Sequence, residues 1–100
     1  MIPAEAQVAA VLPKLDRLLA ERSGDAHQTL TEAVRAAVAI RDELIARLRS
    51  EAGDGHVRDR LHAANLLVST AVGAQFPVTG IHWDRVEKTR EGLRTIIAQG

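Results

Sequence analysis

The chain has 100 residues, a formal net charge of zero and no cysteine. This length fits one domain, so we treat residues 1–100 as a single unit. The lack of cysteine excludes disulfide scaffolds, thiolate zinc sites and cysteine nucleophiles. The chain balances 13 Lys+Arg against 13 Asp+Glu and has one Phe and one Trp as its only aromatic residues. That composition argues against a nucleic-acid binder, which needs a basic surplus and stacking side chains.

The hydrophobic share of 46% comes almost entirely from Ala, Leu, Val and Ile. Ala and Leu are strong helix formers, so the composition favours helices. No apolar run approaches the ~20 residues that a membrane-spanning helix needs. The first residues also lack the basic segment of a secretory signal. We therefore expect a cytoplasmic protein that does not enter a membrane.

A first helix is predicted over residues 3–22. Pro3 suits the first helical turn, where its missing N–H is not needed. Pro13 lies inside the pattern and is predicted to kink the helix or to restart it. The apolar residues recur at three- and four-residue steps and form one stripe: Val8, Val11, Leu12, Leu15, Leu18 and Leu19.

A second helix is predicted over residues 27–52. Two N-terminal caps compete, because Asp25 with Gln28 and Thr29 with Glu32 both have capping-box spacing. The predicted core stripe comprises Leu30, Val34, Ala37, Leu44 and Leu48, broadened by Val38, Ile40 and Ile45.

This second helix is apolar nearly all round, since only Arg35 is polar between Ala33 and Ile40. Such a helix is usually buried on several sides. Either it is the central helix of the domain, or its second face meets another chain. The candidate interface residues on that face are Val34, Val38 and Ile45.

A third helix is predicted over residues 56–75, after a break at 53–55 in which Asp54 is a suitable N-cap. It ends at Phe76, because a residue before proline is pushed out of the helical region. A fourth helix begins near Thr79 or near Asp84, which has capping-box spacing with Glu87, and runs to the C-terminus. No alternating run is long enough for a strand. The pattern predicts an all-α protein, an antiparallel four-helix bundle with short loops.

A polar stripe on the third helix is the first candidate site. At 100° per residue its members fall within one narrow sector, and the same line continues to the aromatic connection over residues 75–83. One interpretation is a small binding pocket between this stripe and the connection, whose ligand the sequence does not identify. The sequence favours the other interpretation, a partly solvated polar face, because such faces are far commoner than sites. The candidate residues are Arg58, His62, Asn65, Ser69, Phe76, His82 and Trp83.

The connection 75–83 holds the only Phe and the only Trp of the chain. Two interpretations remain open. The connection is a hydrophobic plug that closes one end of the bundle, or Trp83 is an exposed anchor for a partner. The sequence favours the plug, because an isolated exposed Trp is costly.

Metal binding and catalysis have weak support in the sequence. Asp59 and His62 have the spacing of a carboxylate–His pair, but di-iron bundles use two such motifs and further Glu residues. His62 and Ser69 lie two helical turns apart, about 10 Å along the axis, which is too far for a hydrogen bond. We predict no catalytic residue, no metal site and no cofactor.

The start of the fourth helix resembles the C-terminal helix of HEPN-type helical ribonucleases, which are small bundles and often the toxin of a two-gene module. The residues that carry the resemblance are Ile81, Trp83, Val86 and Arg90. It implies RNA cleavage by Arg90 together with His82 or His62 in a common cleft. The family has Asn after its Arg and a His about a turn further on, where this chain has Glu91 and Thr95.

The second helix, which is apolar on two sides, and the aromatic connection indicate contact with another protein. An all-round apolar segment in a small bundle needs a partner to cover it. We therefore expect a non-catalytic protein–protein interaction module, acting as a homodimer or as part of an assembly. The HEPN-like ribonuclease, or a degenerate toxin–antitoxin component, is the alternative.

Overall fold

The computed structural model describes residues 3–22, 26–50, 55–75 and 81–98. They form four helices: α1 (Ala4–Glu21), α2 (His27–Ser50), α3 (Gly55–Gln75) and α4 (Trp83–Ala98). This part of the chain is 94% helical and has no strand. Each helix packs on its neighbour in the chain, and α4 also packs on α1. The predicted all-α antiparallel four-helix bundle is confirmed.

α1 runs through Pro13 without a break, so the predicted restart at this residue is wrong. Pro13 and Ala9 are both exposed. The Ala9 carbonyl, which loses its helical partner to the proline, therefore faces solvent. The helix ends at Arg22, whose left-handed backbone (φ 46°) lets its N–H donate to the Leu18 carbonyl.

α2 begins at His27, so Thr29 lies inside the first turn and the Thr29–Glu32 capping box is wrong. A capping residue must have non-helical backbone angles. Glu32 instead accepts a bond from Lys14 of α1 at 2.9 Å. The competing cap at Asp25, like the break that contains Asp54, lies outside the described residues.

The core is aliphatic and is supplied by all four helices. Its largest fully buried apolar side chains are Val8, Leu15, Val57, Val86 and Leu93. The buried side of α2 is centred on Ala33, Ala37 and Ile40, whereas Val34 and Leu48 are only half-buried. Leu30, Ala37 and Leu44 of the predicted stripe are buried as expected. The buried side is shifted toward Ala33 and Ala36, which the prediction left out.

α4 begins at Trp83, so Asp84 lies in the first turn and does not cap the helix. The carbonyl of His82 accepts the N–H groups of Arg85 and Val86 and starts the helical bonding. The Asp84 carboxylate still suits this position, because the N-terminal end of a helix is positive. Thr79, the other predicted start, is outside the described residues.

Candidate functional site

The predicted polar stripe lies on the outer surface of α3. Arg58, His62, Asn65 and Ser69 are all exposed there, which follows from their shared sector on the helix. Phe76, the predicted end of the stripe, is outside the described residues. The pocket between the stripe and the aromatic connection therefore stays a prediction.

His82 and Trp83 are half-buried at the start of α4. Ile81 and Trp83 pack against the core. The Arg22 guanidinium carbon lies 5.8 Å from the centre of a Trp83 ring, within the range of a cation–π contact. Because Arg22 caps α1, this contact ties the end of α1 to the beginning of α4.

The predicted interface residues Val34, Val38 and Ile45 are half-buried on α2. They fall within about 40° of one another around the helix. Glu32, which binds Lys14 of α1, lies on the opposite side of α2. The three side chains therefore follow the edge of α2 that is turned away from α1 and toward α3.

The outer surface of α3 also carries two exposed apolar side chains. Leu66 is 58% exposed and Val72 is 39% exposed, and they are the large hydrophobic residues that the described chain leaves in solvent. Leu66 lies beside His62 on the helix, between the polar stripe and Thr70. The prediction named the polar side chains of this surface and missed the apolar ones.

The chain has no Asp, Glu, Lys or Arg between Arg60 and Asp84. All 13 Lys+Arg and all 13 Asp+Glu residues lie outside that stretch. The C-terminal two-thirds of α3 therefore has an exposed surface without formal charge. Depletion of charge is typical of the centre of protein interfaces, and this pattern was visible in the sequence.

The surface between α1 and α4 is charged instead. Asp16 of α1 accepts bonds from Arg94 at 2.8 Å and from Arg90 at 3.4 Å. Glu91 binds both of these arginines. Arg90, on which the resemblance to ribonucleases depends, is thus held by two carboxylates. A shared cleft of Arg90 with His82 or His62 stays a prediction.

Among the described residues, no group of three or more His, Asp or Glu side chains is placed to hold a metal ion. No helix in the described ranges is both long and apolar enough to cross a membrane. Comparison of the chain with known protein families, curated proteins and solved structures found no match. The exposed surfaces of the bundle are therefore the features that bear on function.

Proposed function

We propose that this protein is a non-catalytic helical module that acts by protein–protein contact, as a homodimer. The proposed contact surface is the outer face of α3, centred on Leu66, with Val72 and the adjoining edge of α2 on the other side of the polar stripe. One observation carries the proposal: Leu66 and Val72 are exposed on a helix surface without formal charge. Covering a large aliphatic side chain contributes about 1.5–3 kcal/mol, and residues 61–75 of α3 have no charged side chain of their own to desolvate.

A second copy of this chain fits the pattern along α3. Leu66 lies near the middle of Gly55–Gln75. If a two-fold axis passes beside it, two antiparallel α3 helices bring each Leu66 against its copy, and such a contact uses the same patch twice. Arg58 and Asp59 then face the C-terminal end of the other α3, which has no charged residue of its own. Arg85 of α4 lies at that end, where it donates to the Gly73 carbonyl.

The edge of α2 adjoins the Val72 side of this surface, across the polar stripe from Leu66. In the antiparallel α2–α3 pair, Val34 lies near the level of Val72, and Val38 lies near the level of Val68. A standard interface covers about 800 Å² on each partner. The chain exposes 6064 Å² in total and measures 43 by 24 by 21 Å, so one long face of the bundle has room for such a contact.

The oligomeric state tests the proposal by sedimentation equilibrium or by size exclusion with light scattering. We expect the wild type to dimerise with a Kd on the order of micromolar. Leu66→Glu should weaken the dimer at least about 100-fold, because it places two like charges at the two-fold axis. Ala9→Glu is the matched control, since Ala9 is exposed on α1.

Circular dichroism should show both variants folded, because neither residue is buried. A wild-type protein that stays monomeric at the highest attainable concentration would overturn the homodimer. A dimer that tolerates Leu66→Glu as well as Ala9→Glu would remove α3 from the interface.

A further inference from the structure

Arg60, near the start of α3, is the charged residue that the described part of the chain buries, with 7% of its surface exposed. Its Nη2 donates to the carbonyl of Ile96 at 3.0 Å. Ile96 lies in the last turn of α4, where carbonyls lack helical partners and a cation is favoured. Arg60 therefore caps the C-terminal end of α4 by donating to one of its free carbonyls.

This role uses only part of the guanidinium group. A guanidinium has five N–H donors, and the Nε of Arg60 is buried without a hydrogen-bond partner. The ion pairs within the described ranges are made by other residues and include no carboxylate on Arg60. A buried cation is costly unless an anion and hydrogen bonds compensate for it.

Two adjoining clefts meet at Arg60, at the end of the bundle where α3 begins and α4 ends. Their volumes are about 350 Å³ and about 250 Å³. The larger one lies within the usual size range of small-ligand sites. The residues common to both clefts are Ile40, Glu43, Arg47 and Arg60.

We infer that this Arg60 cleft binds a small carboxylate with an apolar body. The carboxylate group would lie between Arg60 and Arg47, since guanidinium groups bind carboxylates through paired, charge-assisted bonds. Ile40 and Leu44 supply an apolar wall for the rest of the ligand. Glu43 lines both clefts and Glu5 lines the smaller one, so a singly charged carboxylate is favoured over a doubly charged phosphate.

A titration with 3-methylbutanoate tests this inference, followed by NMR at the side-chain Nε–H resonance of Arg60. We expect a saturable shift with a Kd on the order of 1 mM, as suits so small a ligand. The neutral analogue 3-methylbutanamide should produce no saturable shift. Inorganic phosphate should bind more weakly than the carboxylate.

Surface variants on α2 separate binding from folding. Arg47→Gln should weaken binding about tenfold, because it removes a charge-assisted bond. Glu43→Gln should tighten binding about threefold, because it removes a repelling carboxylate. Arg49→Gln is the control, since Arg49 is exposed on the same helix and is not among the residues lining the clefts.

Three results would overturn the inference. The first is no saturable shift at Arg60 with the carboxylate, and the second is an equal shift with the amide. The third is a Kd that neither Arg47→Gln nor Glu43→Gln changes. Any of these would leave Arg60 with its role at the end of α4 alone.

Discussion

Two exposed surfaces of this bundle are built in opposite ways. Between α1 and α4, Asp16 is bound by Arg90 and Arg94, so charge covers the junction. On the outer side of α3, Leu66 and Val72 face solvent in a stretch without charged residues. The charged groups of the first surface pair within one chain, whereas the second leaves apolar side chains in solvent.

The free energy available from the ion pairs of the first surface is smaller than the free energy gained by covering the second. An exposed ion pair stabilises a protein by about 0.2–1 kcal/mol and is weakened by salt. Covering Leu66, which is 58% exposed, on two copies contributes about 2–3 kcal/mol, and salt hardly affects it. On the proposed function, charge on one side and its absence on the other separate the surface that stabilises the monomer from the surface that contacts a second copy.

Replacing Asp16 by Asn tests whether the two surfaces are independent of each other. Its expected effect on stability is larger than those of the glycine substitutions below. It removes the carboxylate that holds Arg90 and Arg94. The free energy of unfolding should fall by about 1 kcal/mol at low salt, and by less at high salt. Urea denaturation of Asp16→Asn in the Leu66→Glu background measures this without interference from dimerisation.

The same substitution in the otherwise wild-type chain should leave the dimer Kd unchanged. A parallel loss of dimerisation and of stability would show that the α1–α4 surface takes part in the contact. The comparison between the two surfaces would then fail.

Substitutions at two helical glycines test the packing of α3 against α4. Their expected effects on the free energy of unfolding are smaller than that of Asp16→Asn. A Cβ at Gly73 would lie 3.1 Å from Nη1 of Arg85, an exposed and flexible side chain. A Cβ at Gly92 would lie 2.7 Å from Cδ1 of Leu67, which is buried. Gly73→Ala should therefore stabilise the chain by about 0.5 kcal/mol through helix propensity.

Gly92→Ala should destabilise the chain by about 0.5–1 kcal/mol, because Leu67 must leave its packed position. Both variants are measured by urea denaturation in the Leu66→Glu background. Equal effects of the two substitutions would mean that α3 packs against α4 differently from this structure.

The sequence predicted the helices well, because apolar periodicity and glycine or proline breaks are local signals. It offered a kink or a restart of the helix at Pro13, and the restart does not occur, since solvent can satisfy the carbonyl that the proline leaves free. It also placed Val34 and Leu48 in the α2 core stripe, where both are only half-buried, and left out Ala33 and Ala36, which are buried. Which side of an all-round apolar helix is buried depends on its neighbours.

The candidate surfaces were only partly predictable. Leu66 and Leu67 are adjacent, so only one of them can face the core, and the structure buries Leu67. The stretch without charged residues after Arg60 was the sequence signal that the exposed Leu66 belongs to the proposed contact surface. The burial of Arg60 had no local signal, because it depends on the end of α4 meeting the start of α3.

Cysteine cross-linking tests most directly whether α3 carries the contact between copies. The chain has no cysteine, so Leu66→Cys introduces a single thiol. A two-fold axis beside residue 66 brings two thiols within disulfide reach, with Cα atoms about 4.4–6.8 Å apart. We predict rapid formation of a disulfide-linked dimer by Leu66→Cys under mild oxidation, and none by Ala9→Cys. Equal, slow cross-linking of the two variants would contradict the account.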